Sequence, residues 1–177
     1  MERNYEKAFA YFADSAELGE ADSMNMMGVC YAEGIGVAQN DTLAFEWYQK
    51  AVEAGSDAAM DNLASRYFNG RGVQVNATKA VEWYEKAAAA GCILPRSVCN
   101  LGSCYFYGKG TAVDYERAFE CFVQAADGGD ALGYEWLGYC YQTGTGTEQN
   151  LELAAKWYAM AVAAGSMTAQ DRLNSIQ

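Results

Sequence analysis

The chain has 177 residues, 51% hydrophobic and 20% charged, a balance that supports a buried core and excludes a disordered polypeptide. Twelve Lys and Arg against 23 Asp and Glu give a net charge of −11, which argues against DNA, RNA or an anionic lipid surface as the main partner. Histidine is absent, which removes the Ser-His-Asp and Cys-His nucleophilic designs and every histidine-bearing metal site.

The opening residues, MERNYEKAFAYF, place Glu2, Glu6 and Lys7 where a secretory signal needs a basic flank and then an apolar run. The longest apolar stretch, Ala87 to Leu94, is far shorter than the ~18–20 residues of a membrane-spanning helix. No membrane span is expected.

Two strings then alternate along the chain. The first is Met27-Gly28-x-x-Tyr31-x-x-Gly34-x-Gly36; it returns from Leu63-Ala64, Leu101-Gly102 and Leu137-Gly138, at offsets of 36, 38 and 36 residues. The second is Ala44-x-x-Trp47-Tyr48-x-x-Ala51-x-x-x-Gly55, with counterparts at Ala80, Trp83 and Tyr84, at Ala118, Cys121 and Phe122, and at Ala154, Trp157 and Tyr158. A copy of the second string, with Ala8, Tyr11, Phe12 and Gly19, opens the chain, and the beginning of the first, Leu173-Asn174, closes it. Repeats are therefore expected at 20–55, 56–91, 92–129 and 130–165, with half repeats at 1–19 and 166–177, in one continuous domain.

Each string has its apolar residues at i, i+3, i+4 and i+7, the spacing of one helix face. Asn4, Asn40, Asn76, Asp114 and Asn150 share a repeat position suited to capping the second helix of each pair, expected near 4–18, 41–54, 77–90, 115–127 and 151–164. Ser56, Asp130 and Ser166 would cap first helices, and Pro95 would be the first helical residue in its repeat. The glycines after each first helix suit a left-handed terminating residue. Gly28, Ala64, Gly102 and Gly138 would let helices approach closely, with Trp47, Trp83 and Trp157 filling the gaps. One helical hairpin cannot bury both sides of such a face, but stacked hairpins bury one another.

This pattern resembles the Sel1-like repeat family, relatives of the tetratricopeptide repeat, over nearly the whole chain. Ala64, Cys121-Phe122, Thr111 and Thr147 are mild departures from its motif. The resemblance implies an all-α, right-handed α/α superhelical solenoid of stacked hairpins, about ten helices, without strands. It also implies a scaffold or adaptor that places protein partners together. A cysteine-rich, secreted branch of the family pairs a cysteine late in the second helix with one early in the next hairpin. The matching positions here, Val52 with Met60, Ala88 with Val98, Ala126 with Tyr134 and Val162 with Gln170, hold no cysteine. Cys30, Cys92, Cys99, Cys104, Cys121 and Cys140 are therefore expected as free thiols, Cys92 the most exposed, in a cytoplasmic protein.

No C-x-x-C pair points to zinc, and the G-x-G strings lack the strand and the G-K-[ST] ending of a phosphate loop. No catalytic residue, metal or cofactor is expected. Glu46, Glu82 and Glu120 share a position and read as a solvated face. In tetratricopeptide repeats the inner groove is lined by first-helix residues flanking the core motif. Carried over by resemblance, those positions give one row of Asn25, Asp61, Cys99, Glu135 and Asp171, and aromatics Phe68, Phe106, Tyr107 and Tyr139. Such a groove would bind a protein or peptide segment, basic in charge, without nucleic acid. Self-association through the C-terminal end is a further expectation; a hydrolase-like enzyme of the cysteine-rich branch and a passive tether are the alternatives.

Overall fold

The computed structural model describes residues 4–176; the first three positions of the expected half repeat 1–19, and Gln177, lie outside them. The described residues form ten α-helices and no strand: α1 (Tyr5–Glu17), α2 (Ala21–Glu33), α3 (Asp41–Glu53), α4 (Ala58–Asn69), α5 (Ala77–Ala89), α6 (Pro95–Tyr107), α7 (Tyr115–Asp127), α8 (Ala131–Thr143), α9 (Leu151–Ala163) and α10 (Met167–Ser175). The expected second helices are α1, α3, α5, α7 and α9, each within a residue of its expected bounds. Contacts gather into two units, Met1–Ile93 with α1–α5 and Leu94–Gln177 with α6–α10.

Capping explains the helix starts. Asn4, Asn40, Asn76, Asp114 and Asn150 each accept, through the side-chain oxygen, the backbone N–H three residues on, at 2.9–3.1 Å. Asp130 takes the N–H groups of Leu132 and Gly133, and Ser166 takes that of Ala169. Pro95 is the first residue of α6, where its missing N–H costs nothing. Ser56 departs from its expected role: α4 begins two residues later, and the Ser56 hydroxyl donates instead to Asp22 Oδ1 at 2.8 Å.

In the N-terminal unit the repeat signature becomes packing. Tyr48 and Tyr84 are buried to 2% and 0% exposure, whereas Trp47 and Trp83 are only half-buried. The expectation that tryptophan fills the core is thus corrected: the following tyrosine does. The tryptophans lie at the rim, where Lys50 Nζ stands 4.4 Å from the Trp47 ring centroid and Lys86 Nζ 3.9 Å from that of Trp83. Phe9 meets Tyr31, and Phe45 meets Tyr67, edge-on at 5.6 and 5.3 Å. Gly72, at φ +76°, lies so close to the Asp41 carbonyl at the start of α3 that no side chain fits, which is why the second glycine of the G-x-G string is needed.

The C-terminal unit repeats the scheme. Phe119 meets Tyr141 edge-on at 5.5 Å. Tyr158, with Ala154, Ala161 and Ala169, forms a buried cluster flanked by Tyr134, Tyr141, Val162, Leu173 and Ile176. A Cβ at Gly138 would stand 2.5 Å from the Tyr158 ring, so glycine sets the α8–α9 distance. Arg96, at the start of α6, is bound to Asp130 at 2.7 Å and ties α6 to α8.

Candidate functional site

The residues expected to face a partner divide sharply in their placement. In the N-terminal unit Asn25 and Asp61 are 9% and 3% exposed, and Asn25 Oδ1 accepts the Asn62 side-chain amide at 3.0 Å. Phe68 is half-buried, edge-on to Tyr84 at 6.2 Å. In the C-terminal unit Cys99 is fully buried; its thiol is pushed up to about 12, first by burial and then by the charge of Asp130. Asp171 is exposed on α10, beside Val162, Gly165, Met167 and Gln170. Among the described residues, these five line no common pocket within either unit.

The remaining four residues, Phe106, Tyr107, Glu135 and Tyr139, do meet. Phe106 sits at the hub of an aromatic cluster, 5.0 Å from Tyr107, 5.3 Å from Tyr115, 5.0 Å from Trp136 and 5.8 Å from Tyr139. Trp136 stacks on Phe122 at 4.9 Å with planes 4° apart, and meets Tyr107 and Tyr139 edge-on at 5.8 Å. Tyr107 is 55% exposed, so the cluster reaches solvent on that side. Phe122 replaces the buried tyrosine of the other repeats. Lacking a hydroxyl to satisfy, its ring is free to stack face to face.

A pocket of about 240 Å³ opens beside this cluster, lined by Tyr107, Leu132, Glu135, Trp136, Tyr139 and Arg172. Glu135 Oε2 accepts the hydroxyls of Ser166 and Thr168 at 2.8 and 2.7 Å, and its Oε1 lies 3.7 Å from Arg172 Nε. The Arg172 guanidinium stands 5.2 Å from the Tyr139 centroid and also reaches the Tyr158 hydroxyl. Glu135 and Arg172 are 37 residues apart, the separation of Asn25 and Asn62, so both pairs link successive first helices at one repeat position. The lining is aromatic and carries a carboxylate, a combination suited to apolar contact and to cations.

Trp136 and Arg172 are the lining residues that the sequence reading did not single out. Trp136 left a trace: its repeat position holds Met26, Asn62 and Asn100 elsewhere, and it is the one tryptophan on a first helix. Arg172 occupies that same position in the last half repeat, and nothing in its own repeat marks it. Among the described residues no group of three or more His, Cys, Asp or Glu is placed to hold a metal ion. The thiols of Cys30, Cys104 and Cys140 are raised by burial, those of Cys104 and Cys140 to about 11 and 12. They are packing groups rather than nucleophiles at neutral pH.

The Sel1 repeat family model matches residues 1–20, 21–56, 57–92, 95–130 and 131–166. It leaves 93 and 94 unmatched, where the sequence shows its two extra residues. Among solved structures, a protective antigen of uropathogenic Escherichia coli with an SLR fold is 33% identical, with a TM-score of 0.83 over 95% of this chain and 36% of that one. A Sel1 repeat protein from Oxalobacter formigenes is 30% identical, with a TM-score of 0.83 over 99% of this chain and 69% of that one. The cysteine-rich protein B of Helicobacter pylori, 23% identical with a TM-score of 0.55 over 73% of this chain and 96% of that one, shares the fold. The chain thus spans about a third of the length of the Escherichia coli antigen. No curated protein matches it.

Proposed function

The chain belongs to the Sel1 repeat family, whose members generally serve as non-catalytic protein-interaction scaffolds, and on that premise we propose that its C-terminal unit binds a basic segment of a partner protein. The observation that carries this reading is the pocket lined by Tyr107, Glu135, Trp136 and Tyr139. Aromatic anchors beside a shaped pocket are where binding energy concentrates in protein interfaces. The net charge of −11 favours approach of a basic chain and raises its association rate. A catalytic reading has less support, because the buried thiols are held protonated and Glu135 is engaged by two hydroxyls. The free thiols of all six cysteines support residence in a reducing compartment such as the cytoplasm. No helix among the described residues is long and apolar enough to cross a membrane.

The test is selection of peptides from an unbiased display library on the immobilised chain. Enriched peptides should carry Lys or Arg, lose affinity as salt rises, and bind poorly to Tyr107→Ala and Tyr139→Ala while tolerating Phe68→Ala. Enrichment of acidic or neutral peptides, or equal binding to all three variants, would overturn the reading.

A further inference from the structure

Both tyrosines of the pocket, the exposed Tyr107 and the half-buried Tyr139, already carry a cation drawn from the chain itself. Lys109 Nζ stands 5.2 Å from the Tyr107 centroid, and the Arg172 guanidinium 5.2 Å from that of Tyr139. Arg172 reaches the Tyr158 hydroxyl as well, but its ion pair with Glu135 is long. Its distance of 3.7 Å to Glu135 Oε1 exceeds the ~2.7–2.9 Å of a charge-assisted hydrogen bond. Its side chain remains 42% exposed, and it rides on α10, a helix of nine residues. Glu135 Oε2, by contrast, is well satisfied by Ser166 and Thr168, so the carboxylate stays in place whether or not Arg172 does.

We propose that this pocket is a guanidinium seat filled from within by Arg172, and that an arginine side chain of a basic partner segment takes its place over Tyr139 and against Glu135 Oε1. The chain displays the chemistry that the pocket accepts. A partner arginine meets the same ring face and the same carboxylate, gains the unfilled volume between Tyr107 and Trp136, and releases Arg172 to solvent. The exchange conserves charge inside the pocket, so the carboxylate keeps a cation in both end states. A neutral side chain of the same shape would leave Glu135 Oε1 without its cation and is refused. The proposal rests on reading the pocket as the partner-binding site and adds its ligand class.

N-acetyl-argininamide and its neutral isostere N-acetyl-citrullinamide, titrated into the full chain and followed by NMR, test it. In the wild type, argininamide should shift the Trp136 indole N–H and the Arg172 Nε–H and speed amide exchange in the last turn of α10, at residues 172–175. Citrullinamide should do none of these. Arg172→Met should bind argininamide at least tenfold more tightly, and adding Glu135→Gln should abolish that gain. Because Arg172→Met could unseat α10, the wild-type exchange measurement stands as an independent readout. Equal affinity of wild type and Arg172→Met, equal response to citrullinamide, or an unmoved Arg172 signal overturns the seat. If basic library peptides still bind through Tyr107 while Arg172 stays unmoved, only this inference fails; if they do not bind, the functional reading fails with it.

Discussion

The hydroxyl of Tyr158 donates to Gln142 Oε1 at 2.7 Å, and one repeat earlier the same two positions hold Phe122 and Phe106, with ring centroids 6.5 Å apart. A polar pair and an aromatic pair thus fill one site in two repeats. The choice of ring at the buried position is matched by its neighbour, because a buried hydroxyl needs a partner and a buried phenyl needs none.

The two repeats should therefore respond unequally to exchange of a single oxygen. Tyr158→Phe removes a hydrogen bond but leaves a half-exposed glutamine that water can satisfy, so about 0.5–1.5 kcal/mol of stability is lost. Phe122→Tyr inserts a hydroxyl beside Phe106 and Trp136 at a position with no exposure, and costs more, about 1–3 kcal/mol. Urea denaturation of both variants decides the order. A smaller loss for Phe122→Tyr would show that an acceptor lies within its reach.

Buried thiols make the fold sensitive to alkali. Cys99 and Cys140 are pushed up to about 12 from a thiol's ordinary value near 9, with burial the leading cause in each. The folded chain therefore keeps protons that the unfolded chain releases. Their stabilisation is complete below the unfolded value and is lost as pH rises from about 9 towards the folded value, by up to about 1.4 kcal/mol per pH unit for each thiol. The urea midpoint should fall between pH 9 and 11, and less steeply in Cys140→Ala. A thiol reagent at neutral pH should label Cys92 alone in the native chain, since the other five are buried. A pH-independent midpoint over that window would contradict the burial argument.

The caps offer a third check. Asp114 holds the Arg117 N–H at 3.0 Å at the start of α7. Asp114→Ala should cost about 1 kcal/mol, while Asp114→Asn should cost little, because asparagine caps the four equivalent helices. If both substitutions cost the same, charge near the helix N-terminus rather than the hydrogen bond is responsible.

Element positions were legible in the sequence because most boundaries carry their own local chemistry: a capping Asn or Asp before each second helix, and a left-handed glycine such as Gly70 or Gly144 after first helices. Tyr67 and Gly138 could be placed at the helix interface by period alone. Repetition, however, does not reveal which of two adjacent aromatics turns inward. Trp47-Tyr48 reads as a pair of core residues, and only the geometry of the close approach beneath Gly28 admits the slimmer ring. The site was half legible for a related reason. Phe106 and Tyr107 stand out within their own repeat, but Arg172 acquires meaning only from Glu135 and Tyr139, which lie more than thirty residues away. Asp61 and Cys99 occupy the same repeat position as Glu135 yet are buried, so equivalence in sequence does not carry equal exposure.

Phe106 and Tyr107 are neighbours in sequence with different duties, and substituting each should separate folding from binding. Phe106 touches Tyr107, Tyr115, Phe122, Trp136 and Tyr139, so Phe106→Ala removes the hub on which the pocket wall is built. It should cost about 2–4 kcal/mol, somewhat less than a fully buried phenylalanine because the ring is only half-buried. Tyr107 projects to solvent at 55% exposure, so Tyr107→Ala should change stability by less than about 1 kcal/mol. If Tyr107 is an anchoring ring, its loss should nonetheless weaken a selected basic peptide by at least about tenfold, the signature of an interface hot spot. On the proposed reading, in which a cation meets the ring face, Tyr107→Phe should retain most of the affinity. Urea denaturation and peptide titration of the three variants give both quantities. A Tyr107→Ala chain that is stable and binds the peptide as well as the wild type would remove this ring from the interface and move the search for the partner surface away from the pocket.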